Sequence, residues 1–124
     1  MAEETKTEET NPEENLITIQ DFMKTELRVG KVLTCEKVPK SRNLLKMEVD
    51  LGSETRQILA GMAPFLLPEE MVGRRVVVVA NLKPAKLMGL ESQGMILAAS
   101  PEGEGAVPVP IAVAEGIPLG AKVR

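Results

Sequence analysis

The sequence predicts an all-β, five-stranded barrel with a short helix between strands 3 and 4, and three observations support this fold class. Apolar residues fall into short runs that alternate with polar residues, as they do in half-buried strands. These runs follow the order strand, strand, strand, helix, strand, strand, and turn residues separate them. With 124 residues and 44% hydrophobic residues, we expect one core and one domain, plus short N- and C-terminal extensions.

The first three strands are predicted from the phase of their apolar residues. Apolar alternation over residues 27–38 changes phase after Gly30, which indicates a strand bent at a bulge around that glycine. Strict alternation over residues 45–51 predicts a second strand with one buried and one solvated face, followed by a Gly-Ser hairpin turn. The third strand is predicted over about residues 55–60. A long bent first strand is what a small closed barrel needs.

The second half of the chain completes the barrel. Helix-like apolar spacing over residues 63–72 predicts a short helix, which Pro68 either interrupts or starts. Residues 74–82 are predicted to form a valine-rich strand, residues 83–93 a long polar loop, and residues 94–99 a fifth strand. This order is that of the oligonucleotide-binding (OB) barrel. Its ligand surface consists of strands 2 and 3 with the loops between strands 1 and 2 and between strands 4 and 5.

Charge divides the chain into two parts. The net charge is −3, but residues 1–16 contain six glutamates and one lysine, a net charge of −5, so the remaining 108 residues carry +2. We expect residues 1–16 to be a disordered acidic tail or linker and residues 17–124 to be the folded domain. At the start of that domain, Thr18 followed by Asp21 resembles a capping box and predicts a helical turn ending near Lys24.

Composition argues against catalysis. The sequence contains no histidine and one cysteine, Cys35, so histidine-based catalysis and the usual metal sites are excluded and Cys35 has no imidazole to activate it. Glu48 and Asp50 share a strand face, but Lys46 and Arg56 offer them ordinary cross-strand partners. We therefore predict a non-enzyme without cofactor or metal. The single cysteine and the absence of a long apolar stretch lead us to expect a cytoplasmic protein.

The basic residues are concentrated in the two predicted ligand loops. Residues 37–46 contain four basic residues and residues 83–90 contain two, and neither stretch contains an acid. Such side chains bind phosphates, which indicates a nucleic-acid ligand, although exposed loops also carry charge for solubility alone. The only aromatic residues, Phe22 and Phe65, lie outside the predicted binding strands. Recognition of the backbone and shape of folded RNA is therefore favoured over stacking on single strands.

Five motifs occur in order along the chain: IQDF at 19–22, LRVGKV at 27–32, LLKMEV at 44–49, VANLKP at 79–84 and ESQGMIL at 91–97. From about residue 17 to the C-terminus the chain closely resembles the tRNA-binding domain family. This family includes stand-alone dimeric tRNA-binding proteins, the C-terminal domain of bacterial methionyl-tRNA synthetase and a secretion-associated chaperone branch. The resemblance implies an OB barrel, no catalysis, and a homodimer that binds tRNA largely by shape.

The resemblance also implies site residues: ligand contacts at Asn81, Lys83, Lys86, Ser92 and Met95, with Arg28, Lys31 and Lys46 as basic positions on strands. The charge pattern of the first loop adds Lys40 and Arg42 to this predicted RNA-binding set. The chain departs from the family at Asn43, where a lysine is common, and at Ala85, where an arginine is common. Arg42 can compensate for the first departure. We therefore expect a lower affinity than is usual for the family.

Two functions remain open at this point. The first is a tRNA-binding module, either stand-alone or the C-terminal appendix of a methionyl-tRNA synthetase, with residues 1–16 as the linker. The alternative is a chaperone-type protein that binds unfolded polypeptide through an apolar groove and does not need the loop lysines. In both, we expect a homodimer, because one small barrel cannot bury the apolar residues outside it and symmetric pairing with a second copy would. These residues are Ile17, Ile19, Phe22, Val107, Val109, Ile111 and Ile117.

Overall fold

A computed structural model describes residues 12–124 and confirms the predicted fold class. Its strands are β1 (Leu27–Lys37), β2 (Leu45–Asp50), β3 (Thr55–Ala60), β4 (Arg75–Val79), β5 (Ala85–Leu87), β6 (Leu90–Ser92), β7 (Met95–Ile96), β8 (Ala98–Ala99) and β9 (Val109–Pro110). Its helices are α1 (Ile19–Met23) and α2 (Pro68–Met71). Five strands form one antiparallel sheet in the order β3-β2-β1-β4-β7, which curls into a nearly closed barrel.

The N-terminal region is described only in part. Residues 1–11 of the predicted acidic tail lie outside the described residues, and the end of that tail, Pro12–Asn15, forms one 3-10 turn. Helix α1 begins where the capping pattern predicts, because the Thr18 hydroxyl accepts a hydrogen bond from the backbone N–H of Asp21 at 3.0 Å. This bond caps the N-terminus of α1, which lies just before β1.

Strand β1 is bent, and it serves two neighbours. Its first half pairs with β4 and its second half with β2. The register shift lies between Val32 and Thr34, a few residues beyond the predicted position at Gly30. Gly30 has a different role, because a Cβ added there would lie 2.6 Å from Cγ1 of Val49 and within contact of Leu51. The glycine lets β1 pass close to the barrel interior.

The interior is filled by side chains from every wall of the barrel. The fully buried members include Val32, Leu45, Met47, Val49, Ile58, Met71, Val76 and Val78. Met71 belongs to α2, which is shorter than the predicted helix over residues 63–72. Leu67 keeps an extended backbone, as the residue before a proline prefers, so the helix begins only at Pro68.

The segment between β4 and β7 differs from its prediction. Residues 83–93, predicted as a polar loop, contain the two-stranded hairpin β5–β6, in which Ala85 pairs with Ser92. Met88 and Gly89 form its turn with φ values of 52° and 80°, the positive values that tight hairpin turns need. The predicted fifth strand over residues 94–99 is divided, since β7 joins the main sheet whereas β8 pairs separately with β9.

Candidate nucleic-acid interface

The two predicted ligand loops meet at one groove. The connection between β1 and β2, residues 38–44, lies beside the β5–β6 hairpin, and the groove between them has a volume of about 170 Å³. We call it the interloop groove, and its lining residues are Glu36, Lys37, Val38, Pro39, Lys46 and Leu90. Its floor is thus partly apolar, and lysines from β1 and β2 stand at its edge.

Four of the predicted RNA-binding cations are exposed in these two segments. Lys40 and Arg42 lie in the β1–β2 connection, and Lys83 and Lys86 lie just before and within the hairpin. None of the four forms a salt bridge with another residue of the 12–124 region. Their charges are therefore available to phosphates, which contribute most of the affinity in nucleic-acid binding.

Two acids moderate this positive charge. The Nζ of Lys46 lies 4.0 Å from Oε2 of Glu36, and Glu91 lies opposite Lys86 in the hairpin register. Residues 83–90 contain no acid, but the hairpin places the next residue, Glu91, beside Lys86. Exposed charges of this kind contribute little to stability when they pair.

Two other predicted contacts differ in their accessibility. Ser92 is only 5% exposed, and its hydroxyl accepts a hydrogen bond from the N–H of Leu59 at 3.0 Å and donates to the carbonyl of Gly94 at 3.1 Å. The structure places Ser92 in the barrel wall. Met95, by contrast, is 46% exposed on β7 and accessible to a ligand.

Asn81 uses its side chain to fix the backbone. Its Oδ1 accepts from the N–H of Glu26 at 2.9 Å, and its Nδ2 donates to the carbonyl of Lys24 at 2.6 Å. Both bonds attach the beginning of the hairpin segment to the linker between α1 and β1. Asn81 thereby determines where this segment leaves the barrel.

The remaining predicted cations lie elsewhere. Arg28 and Lys31 are in the first half of β1, beside β4, and neither lines the interloop groove. The guanidinium of Arg28 donates to the carbonyl of Gly120 at 3.0 Å and to Glu26 at 3.2 Å. Arg28 thus holds the C-terminal segment against the barrel, whereas Lys31 is half-buried between strands.

The predicted pairing of Arg56 with Glu48 or Asp50 is wrong. Arg56 lies opposite Val49 in the register, so it points to the other face of the sheet from those two acids. It pairs instead with Glu54, at 3.0 Å between Nε and Oε1. Glu54 directly precedes β3 and lies two residues before Arg56, a spacing that in extended backbone places two side chains on the same face and is a signal in the sequence that favours this pair.

Cys35 is a packing residue. Its thiol is half-buried against the core, and this burial, with the nearby charge of Glu36, raises the pKa of Cys35 to about 11. The thiol is therefore protonated at neutral pH and a poor nucleophile.

Helices of the described region are short, and none has the length and apolar character needed to cross a membrane.

Comparison with known proteins gives a consistent result. Residues 27–122 match the family model described as "Putative tRNA binding domain". A methionine–tRNA ligase from Thermotoga maritima is 63% identical over 92 residues, which are 74% of this chain but only 15% of that ligase. The chain therefore corresponds to a small part of the ligase.

Two solved structures show the same fold. The crystal structure of a MetRS-related protein from Pyrococcus horikoshii is 40% identical with a TM-score of 0.83, and the match covers 89% of this chain and 99% of that one. The chaperone CsaA from Bacillus anthracis is 26% identical with a TM-score of 0.77, covering 88% and 99% of the two chains.

Proposed function

We propose that this chain, which belongs to the tRNA-binding domain family, is a non-catalytic module that binds folded tRNA mainly by its shape and backbone. The observation that carries the proposal is the meeting of two basic segments at the interloop groove. Lys40 and Arg42 lie in the β1–β2 connection, Lys83 and Lys86 lie just before and within the hairpin, and none of the four forms a salt bridge within residues 12–124. This arrangement suits phosphates that a folded RNA holds at fixed spacing.

We assign different roles to the remaining predicted residues. Lys46, which lines the groove, and Met95, which is exposed on β7, are accessible enough to contact RNA. Asn81 and Ser92 act through the protein, because their hydrogen bonds hold the hairpin segment in place. Arg28 and Lys31 lie away from the groove, so toward RNA they contribute only to the general positive charge of the barrel, and Arg28 also holds the C-terminal segment.

Folded RNA is favoured over single strands because the interface offers no aromatic platform among the described residues. Phe22 of α1 lines a small cavity together with Val123 near the C-terminus, and Phe65 lies between β3 and α2. Without stacking, an unpaired strand gains little that offsets the entropy cost of being ordered on the protein.

We further propose that the chain is a homodimer. Among the apolar residues expected to be covered, Ile17 is 68% exposed, Ile19 is 66% exposed and Val109 is 53% exposed in the single chain. A second copy would bury them and would present four basic segments to one tRNA, which strengthens binding by multivalency.

The chain fits either a stand-alone protein or a synthetase appendix. The first is supported by the match to nearly the whole MetRS-related protein of P. horikoshii, and the second by the match to a small part of the T. maritima ligase. In both settings, methionyl-tRNA synthetase is the expected associate. The single, unpaired cysteine supports a reducing, cytoplasmic environment.

A second candidate function is the binding of unfolded polypeptide. It is supported by the similarity to CsaA and by the exposed side chains of Leu82, Leu87 and Met88 around the hairpin. The tRNA proposal is preferred because the relatives named for methionyl-tRNA synthetase are more similar, at 40% and 63% identity, than the chaperone at 26%.

The proposal is tested by removing together the four cations of the two segments that meet at the groove. The variant K40A/R42A/K83A/K86A should bind tRNA more weakly, and the slope of log K against log salt should fall by about one unit or less for each phosphate that the variant no longer binds. The matched control is K24A/R74A/K122A/R124A, which removes the same charge elsewhere. Sedimentation should first establish that both variants keep the wild-type oligomeric state. Equal salt slopes in the two variants would show that the groove is ordinary solvated surface.

A further inference from the structure

The base of the β5–β6 hairpin is attached to β3 largely by side chains. The N–H of Gln57 donates to Oε1 of Gln93 at 3.0 Å. In a fully closed barrel, a backbone carbonyl of a neighbouring strand would accept such a bond. The side chain of Gln57 donates to the carbonyl of Glu91 at 2.8 Å, and its backbone carbonyl accepts from the N–H of Gln93 at 2.8 Å. These bonds join β3 to the end of β6 and the residue that follows it.

Arg56 connects both ends of the hairpin segment. Its Nη1 donates to the carbonyl of Ala80 and, at 3.3 Å, to the carbonyl of Gln93. Ala80 immediately precedes the 81–92 segment and Gln93 immediately follows it. One guanidinium thus fixes the distance between the point where the segment leaves the barrel and the point where it returns.

Glu54 holds that guanidinium in the required orientation. Its Oε1 and Oε2 accept from Nε and Nη2 of Arg56 at 3.0 and 3.1 Å, which leaves Nη1 directed toward the two carbonyls. The Arg56 guanidinium lowers the pKa of Glu54, so the carboxylate is ionised at neutral pH. Because Glu54 is exposed, the pair contributes little stability by itself, and its main effect is orientation.

We propose that Arg56, oriented by Glu54, is a positioning residue for RNA binding, which it serves without touching the RNA. This inference rests on the proposed function. Arg56 fixes both ends of the hairpin segment, so Lys83 and Lys86 are held opposite the β1–β2 connection before the ligand arrives. A pre-positioned loop avoids the conformational entropy cost that ordering on binding would require.

The test replaces Arg56 by lysine, which keeps the positive charge. The single nitrogen of a lysine cannot pair with both carboxylate oxygens of Glu54 and also donate to the carbonyls of Ala80 and Gln93. The matched control is R75K, because Arg75 also lies on a barrel strand and donates Nη1 to a carbonyl, that of Ile117, at 2.9 Å. Two quantities are measured for the full chain: the Kd for tRNA and the amide hydrogen exchange of residues 81–93.

In R56K we expect the affinity for tRNA to fall about tenfold, because a binding loop that is no longer preorganised must be ordered by the ligand, with faster exchange confined to residues 81–93. In R75K we expect a Kd within about twofold of wild type, because its hydrogen bond lies away from the hairpin. Wild-type affinity in folded R56K would overturn the inference. A weaker affinity with wild-type exchange would make Arg56 a direct RNA contact and would also overturn it.

E54Q provides a second test, which decides the matter if R56K does not fold. This variant removes the charge of the orienting partner but leaves Arg56 in place, and we expect tRNA affinity to fall about threefold with faster exchange at 81–93. Unchanged exchange and affinity in E54Q would overturn the inference. Failure of the wild-type chain to bind tRNA would instead contradict the proposed function, and the exchange rates of R56K and R75K would still decide whether the arginine holds the hairpin.

Discussion

Ser92 closes the barrel, because its hydroxyl accepts a hydrogen bond from the backbone N–H of Leu59 at 3.0 Å. Leu59 lies in β3, at one edge of the curled sheet, and Ser92 ends β6, which carries the basic hairpin. A buried edge strand must have partners for its N–H groups, and here a side chain takes the place of a neighbouring backbone. The wall of the barrel and the position of the RNA-binding hairpin therefore depend on the same contact.

Replacing Ser92 by alanine tests this role. The N–H of Leu59 would be left buried without a partner, which should lower the free energy of unfolding by about 1–3 kcal/mol. Urea denaturation measures this change, and S100A, at an exposed serine, is the control that should be neutral. If S92A weakens tRNA binding but leaves the unfolding free energy at the wild-type value, Ser92 contacts RNA and is not part of the barrel wall.

Gly30 provides a test of how closely β1 packs against the core of the barrel. In G30A, the new methyl group would approach Cγ1 of Val49 at 2.6 Å, so the core must shift and stability should fall by about 1–3 kcal/mol, as overpacking typically costs. Thermal unfolding of G30A is compared with that of G61A, where the added Cβ would meet only the Asn43 carbonyl at 3.9 Å. Equal melting temperatures for the two variants would contradict the close approach of Gly30 to the Val49 side chain in the barrel interior.

The dimer proposal is tested on α1. Ile19→Ser should shift the sedimentation coefficient from that of a dimer to that of a monomer, because it removes a large exposed apolar side chain from the proposed interface. Leu67→Ser is the control, since Leu67 is 52% exposed but precedes α2, outside the segments proposed to pair. A wild-type chain that sediments as a monomer at micromolar concentration would contradict the proposal outright.

Strands β1, β2 and β3 agree with their sequence-based predictions almost to the residue. In β1 and β2 the apolar alternation is long enough to define a period of two. The β5–β6 hairpin does not emerge from the sequence in the same way. Each of its strands has three residues, too few for a period, and only the turn at Gly89 marks it. Short strands are therefore where sequence-based prediction of this barrel fails.

The candidate site is predictable in part for a similar reason. Cations in exposed loops are visible as composition, so the sequence alone suggests Lys40 and Lys83. Ser92 closes the barrel and Arg56 fixes the hairpin through hydrogen bonds between residues that are 24 to 37 positions apart in the sequence. No local pattern reports such contacts.

The central claim, recognition of folded tRNA by shape and backbone, is tested most directly by competition at one fixed ionic strength. Labelled tRNA bound to the full chain is titrated with unlabelled tRNA of a different species, and separately with unstructured RNA of the same length. We expect the second tRNA to compete about equally, because contacts to phosphates do not distinguish one base sequence from another. We expect the unstructured RNA to compete much more weakly. Displacement of tRNA by unstructured RNA at equal nucleotide concentration would contradict recognition by shape and leave only a general electrostatic attraction.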